Sequence, residues 1–410
     1  MSTQQVRSSA RPALVLAGVL LISVNLRAGL AAYPAVLGQV RDVLGVSAGA
    51  AGLVQAGSLV AMGLGSFLAV RLTVRVGRVH AMTAAVSALL VGTLLRLVST
   101  LPTLVVGSIG LGAGIGVAGV LLSGLVKEHL AARAGLVTGL YVVAMLVGAT
   151  VASAGAVPLS DALGGPAQSM GAWSVPAALA LLVWLPIAAH AARTEERRTA
   201  RQKLPWRAPL ARVFAAYMVL SSMQFYGWLT WLAPYYVDRG LSAQSSALVL
   251  SLYSIGQIPA ALVFPALAER HHRWLAWSWA AIALAILGSL AILVVPQAPF
   301  GPWPWVLLVS IGVGAGFPMA LTLVSWKSRT PEEAAGATAV ALGIGYLGAA
   351  VAPLLMGVLR DVTHSFTTPI LVLLAAACVQ LPVARTYNRV RVGDRSVPIR
   401  SVAAREDPGC

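Results

Sequence analysis

The chain has 410 residues, of which 58% are hydrophobic and only 10% charged, with a formal net charge of +16. A soluble globular domain carries about 25% charged residues, so this composition excludes one and points to a chain threaded many times through a membrane. The two cysteines, Cys378 in an apolar run and Cys410 at the last position, give no basis for a disulfide framework or a thiolate metal site.

Hydropathy and punctuation predict twelve spans. In the first half they are 13–39, 48–70, 79–99, 103–126, 135–159 and 172–192; in the second, 212–236, 245–268, 274–295, 303–326, 335–359 and 367–385. The first run is too long for a cleavable signal peptide, holds an arginine and is followed at once by another span.

Span 1 carries Arg27 near its middle, roughly 21 Å along an ideal helix and too deep for either interface. A central arginine costs roughly 2.5–3.5 kcal/mol on insertion scales. It is either a guanidinium binding an anion in a central cavity through parallel N–H donors, or a structural group bonded to the carbonyls of an interrupted helix. The first reading is favoured, because intramembrane charge marks function by default. Asn25 lies about 200° further round the helix, so it joins Arg27 only if Gly29 or Pro34 distorts the span; otherwise it ties helices together.

Span 2 places Gln55, Ser58, Met62 and Ser66 on one face, suited equally to cavity lining or helix packing. Arg96, near the outer end of span 3, is read as snorkelling to headgroups, with attraction of anions to the mouth as the alternative. Spans 4 and 10 are glycine-rich and are read as packing and gating surfaces; their spacing mimics a dinucleotide motif, but no strand precedes them. Tyr141 in span 5 and Tyr346 in span 11 could cap a site from each half or pack between helices.

Span 7 has Tyr217, Ser221, Gln224, Trp228, Trp231 and Tyr235 on one face. Gln224 and Trp228 are assigned to the cavity, and Trp231 and Tyr235 to an interfacial aromatic belt. Span 8 offers Leu250, Tyr253, Ser254 and Gln257, again as cavity or glue.

Charge gives orientation. With both ends in the cytoplasm, 24 of the 29 basic residues lie on the cytoplasmic side and only Arg41, Arg239 and Arg360 on the other. Topology therefore explains the basic balance, and no nucleic-acid partner is needed. All 13 acidic residues and all six histidines fall in loops, tails or span ends, so no core carboxylate is available to Arg27 or to a proton relay.

Ile109-Gly-Leu-Gly-Ala-Gly114 recurs as Ile311-Gly-Val-Gly-Ala-Gly316, Lys127 as Lys327, and Asp161 as Asp361. These recurrences imply two parallel six-helix halves, 1–192 and 212–385, a cytoplasmic linker at 193–211 and a cytoplasmic tail at 386–410. The all-α architecture resembles the major facilitator superfamily. The loop after span 2, with Arg75, Gly77 and Arg78, matches part of that superfamily's gating motif, although Val74 stands at its acidic position. Asn25-Leu-Arg27, Gly135-Leu-Val-Thr-Gly-Leu-Tyr141, Phe225-Tyr226 with Trp231-Leu-Ala-Pro234, and Gly343-Ile-Gly-Tyr346 together resemble the cyanate/2-nitroimidazole transporter (CynX/NimT) family. That resemblance implies carriage of a small, planar, anionic or nitro-bearing solute.

The expectation is a monomeric secondary transporter in the cytoplasmic membrane, taking a small anionic or polar planar solute by alternating access. No cofactor, metal site or catalytic constellation is expected, hence no enzyme. A multidrug exporter of the same superfamily is the alternative, weakened by the missing core acid. A single Arg⁺ site favours exchange of one anion for another, with symport open if a proton travels on the solute.

Overall fold

The computed structural model describes residues 12–129, 134–191, 209–296, 300–328 and 331–390. Most of the expected linker and tail lie outside these residues. The first half contains α1 (Pro12–Ala35), α2 (Leu37–Leu44), α3 (Ala48–Val76), α4 (Arg78–Leu95), α5 (Leu101–His129), α6 (Ala134–Leu163), α7 (Pro166–Ala172) and α8 (Ser174–Ala191). The second contains α9 (Pro209–Asp238), α10 (Ala243–Ile255), α11 (Gln257–His271), α12 (Trp274–Val294), α13 (Trp303–Lys327), α14 (Pro331–Ala349), α15 (Val351–Thr363) and α16 (Thr367–Arg389).

These helices make twelve crossings, because three spans are broken in two. The breaks have one cause. A helical proline has no N–H for the carbonyl four residues earlier, and its ring clashes with that carbonyl. Pro176, Pro259 and Pro353 stand four residues after Ala172, Ile255 and Ala349, where α7, α10 and α14 end. Span 6 thus starts at Pro166, earlier than hydropathy suggested, and α2 extends the carboxyl end of span 1. Eleven segments among the described residues are long and apolar enough to cross a membrane. The twelfth crossing, α9, is not among them, because its polar and aromatic side chains lower its hydropathy.

Each half is a bundle held by close backbone contact. A Cβ at Gly112 or Gly116 of α5 would fall onto the Ser58 and Met62 carbonyls of α3. In the second half Gly312 of α13 meets the backbone of α12 in the same way. The glycine-rich spans are therefore packing surfaces, as expected.

The halves meet along α3 with α14 and α15, along α6 with α10, and through α1 with α9. α6 lies along α10 and only grazes α11. At the rim that the charge distribution assigns to the outside, Gly52 abuts the Pro353 carbonyl and Ser153 bonds to Ser251 at 3.0 Å. The two halves are thus in contact at that rim.

Candidate functional site

Arg27 projects from α1 toward the second half. Its guanidinium carbon lies 4.5 Å from the ring centre of Phe225 and 5.8 Å from that of Tyr226, both on α9. Phe225 meets Tyr226 edge-on at 4.8 Å and Tyr253 of α10 at 6.0 Å; Tyr226 meets Tyr346 of α14 edge-on at 6.2 Å. Four aromatic rings from three helices of the second half therefore surround one cation from the first. Tyr141 of α6 borders this group beside Tyr346.

Magnitudes decide whether the rings satisfy the charge. A cation over an aromatic face gains about 0.5–2 kcal/mol. That offsets only part of the roughly 2.5–3.5 kcal/mol insertion cost. Moreover, the buried Nη1 of Arg27 has no hydrogen-bond partner, and neither does the buried hydroxyl of Tyr226. Arg360 pairs with Asp238, far along the chain from Arg27. Gln55 is fully buried with both amide atoms unpartnered. Its depth follows from the helices. The Tyr33 hydroxyl bonds to the Ala51 carbonyl at 2.9 Å, which fixes α1 against α3. Arg27 is six residues inward of Tyr33 and Gln55 four inward of Ala51, so the two differ in depth by only about 3 Å. The acceptor-seeking guanidinium and the Tyr226 hydroxyl thus lie at mid-membrane against the aromatic rings, with the unpartnered Gln55 amide at a similar depth on α3.

Several expected members lie elsewhere. Asn25 donates to the carbonyls of Leu21 and of Pro176 on α8, so it ties spans 1 and 6 together and leaves Arg27 alone on its face. The span 7 stripe points into the second half, not into the space between halves. Gln224 donates to Gln380 of α16 at 2.5 Å, Trp231 to the Pro353 carbonyl at 2.9 Å and Tyr235 to the Ile292 carbonyl at 2.7 Å. Trp228 is buried on the same face, its indole nitrogen unpartnered. Trp231 and Tyr235 are each only 1% exposed, so they do not form an interfacial belt. The edge facing Arg27 carries Phe225 and Tyr226, about 100° and 200° round the helix from Gln224. These two were visible in the sequence only as a family motif. Tyr253 sits against Phe225 and donates its hydroxyl to the Phe225 carbonyl at 3.1 Å. Gln257 donates to the Tyr253 carbonyl, as does Ser310.

Arg96 also differs from expectation. It does not snorkel, being 1% exposed. Its Nη1 donates to the Gly29 carbonyl at 2.6 Å, and its Nε and Nη2 donate to the Ser108 hydroxyl at 3.2 and 2.8 Å. It is a structural arginine joining spans 1, 3 and 4. In the loop after span 2, Gly77 is buried at φ +84°, a conformation that favours glycine and lets α4 start directly after α3. Arg75 is exposed beside it, and Arg78 opens α4.

Two six-helix halves enclosing a charged, aromatic-walled layer at mid-membrane define a membrane transporter. The sequence matches the Major Facilitator Superfamily over residues 16–353, and the chain belongs to that superfamily. It is 30% identical over 374 residues to the uncharacterized transporter YycB of Bacillus subtilis (strain 168), covering 89% of this chain and 91% of that protein. It is 28% identical to the cyanate transport protein CynX of Escherichia coli (strain K12), covering 85% and 90% of the two chains. To the 2-nitroimidazole transporter of the same organism it is 27% identical, covering 87% and 91%. These relatives bear out the CynX/NimT resemblance. The fold is also similar to a D-xylose-proton symporter (TM-score 0.71, 16% identity, covering 93% of this chain and 98% of that one). A bacterial homolog of the human lysosomal transporter Spinster gives TM-score 0.74 at 15% identity, with the same coverage.

Proposed function

We propose that this transporter moves a small anionic or polar planar solute, cyanate-like or nitroimidazole-like, across the cytoplasmic membrane by alternating access, with both termini cytoplasmic. The observation that carries this reading is Arg27, a mid-membrane cation with an unpartnered buried donor, no paired carboxylate and aromatic walls. An anion lying in the ring-walled space would accept from Nη1, while a flat solute would stack on the same walls. Gln55 and the Tyr226 hydroxyl supply further polar contacts, and Tyr141, Tyr253 and Tyr346 bound the space. The relatives named for cyanate and 2-nitroimidazole support this size and shape. Arg75, Gly77 and Arg78 form the inner gating turn in this reading. A cationic drug would face Arg27 with no acid to hold it, which disfavours a multidrug exporter.

The test is a thermal-shift screen of the purified protein against cyanate, other small anions, 2-nitroimidazole and cationic drugs, repeated with Arg27→Ala. Anions should raise the melting temperature of the parent and not of the variant. Equal stabilisation of both would refute the site, and stabilisation by cationic drugs alone would favour the exporter.

A further inference from the structure

The outer rim contains a contact that no part of the solute site requires. Asp361, near the end of α15 in the second half, accepts from the backbone amides of Ala48 at 2.9 Å and Gly49 at 2.6 Å in the first half. Those amides open α3, a helix of 29 residues. The first four amides of a helix have no partner within it and carry its positive end. Ser47, the residue before α3, accepts from the Ala50 amide at 3.2 Å, and its hydroxyl also bears on the Asp361 carboxylate; it caps neither Ala48 nor Gly49. The caps for Ala48 and Gly49 thus come from the opposite half of the molecule.

The surroundings are shaped to this contact. A Cβ on Gly49 would stand 3.0 Å from Oδ2 of Asp361, and one on Gly357 would fall onto the Ala48 carbonyl. Arg41 of α2 is close enough to add its positive charge. Charge-assisted bonds to a carboxylate are roughly twice as strong as neutral ones.

The counterpart on the other side of the rim is different. Asp161 of α6 repeats Asp361, and α10 opens behind Ser242 as α3 opens behind Ser47, each serine bonding the third amide of its helix. Yet Asp161 is exposed and, among the described residues, has no hydrogen-bond partner. There the halves are joined deeper down by the neutral Ser153–Ser251 pair. The charged contact between the halves at this rim is one-sided.

We propose that Asp361 is the latch of the outer gate: its carboxylate holds the amino end of span 2 to span 11, and its release is a step in opening the site to the outside. The inference rests on the alternating-access reading above. Separating the two halves at this rim must strip Ala48 and Gly49 of their acceptors, so the latch biases the carrier toward the outer-closed state.

The test uses the full chain in lipid nanodiscs, with Cys378→Ser and Cys410→Ser to clear native thiols. Spin labels go on Val43→Cys, exposed on α2 of the first half, and Val294→Cys, exposed at the outer end of α12. Pulsed electron resonance reads the distance between them. Asp361→Asn should raise the ratio of long to short distances at least tenfold, equivalent to about 1.4 kcal/mol. Ala48→Pro attacks the same contact from the helix side, since proline at the first helical position removes only an amide that the helix does not use. Ser47 is already extended (φ −68°, ψ 165°), as a residue before proline must be. It should act in the same direction, and it decides the matter if Asp361→Asn does not fold. Asp161→Asn should leave the distances unchanged. Unchanged distances in the latch variants, or an equal shift in Asp161→Asn, would overturn the proposal. The readout needs no solute, so its failure is separate from failure of the Arg27 site.

Discussion

Arg27 and Arg96 are both guanidiniums within the membrane half of one protein, and the structure gives them opposite effects on stability. Arg96→Met removes three hydrogen bonds and leaves the Ser108 hydroxyl without its donor partner at a site that is 1% exposed. Its three charge-assisted hydrogen bonds contribute about 1.5–3 kcal/mol each, which outweighs the roughly 2.5–3.5 kcal/mol insertion cost that Arg96 also carries, so its loss is net destabilising. Arg27→Met removes contacts with two rings, worth about 0.5–2 kcal/mol, and relieves an insertion cost of roughly 2.5–3.5 kcal/mol. The difference runs from about neutral to about 3 kcal/mol in favour of the variant, as expected where a functional group is held at the expense of stability. The assay is thermal unfolding in detergent without solute, following a thiol-reactive dye. Arg96→Met should melt well below the parent, and Arg27→Met at or above it while losing transport. An Arg27→Met protein that melts as low as Arg96→Met would refute the distinction and make Arg27 a structural residue.

Three further outcomes follow from the packing. Gln224→Leu should destabilise by about 1–3 kcal/mol because it orphans Gln380, whereas Gln224→Leu with Gln380→Leu should recover much of the loss; solute affinity in the double variant, measured by calorimetry, should match the parent. Gly112→Val should cost about 1–3 kcal/mol or more by driving a side chain into the Ser58 carbonyl, read as a lower melting temperature. Lys327 donates to the carbonyls of Tyr387, Asn388 and Val390, closing the end of α16. Lys327→Met should release roughly 1–2 kcal/mol of local stability there, seen as about tenfold faster amide exchange across Thr386–Val390.

The crossings could be read from the sequence because bilayer thickness acts locally: a run of apolar residues sets each span. The breaks before Pro176, Pro259 and Pro353 were not legible, because Pro158, Pro234 and Pro318 sit inside helices that continue through them, so packing decides which proline interrupts a span. Rotation about a helix axis is a different matter. Gln224 and Trp228 share a face with Tyr217 and Ser221, but polar and aromatic residues mark any face denied to lipid. Only Gln380, 156 residues away, reveals that the face is turned into the second half. Depth misled for Arg96: counted along its span it reaches the outer interface, yet Gly29 and Ser108 from two other spans enclose it. Arg27 stands out in the sequence because charge balance is a property of the whole chain and needs no knowledge of packing, whereas its ring neighbours Phe225 and Tyr226 appear only once the halves are docked.

Calorimetric titration of Arg27 variants bears most directly on the solute site. The ligand is whichever small anion most stabilises the parent, with Arg27→Ala and Arg27→Lys compared at one ionic strength. Two charge-assisted hydrogen bonds, about 1.5–3 kcal/mol each, set the scale. Arg27→Ala should lose at least a hundredfold in affinity, and Arg27→Lys, which keeps the charge without the planar fork, should lose less. Anion binding by Arg27→Ala within a few-fold of the parent would contradict the account.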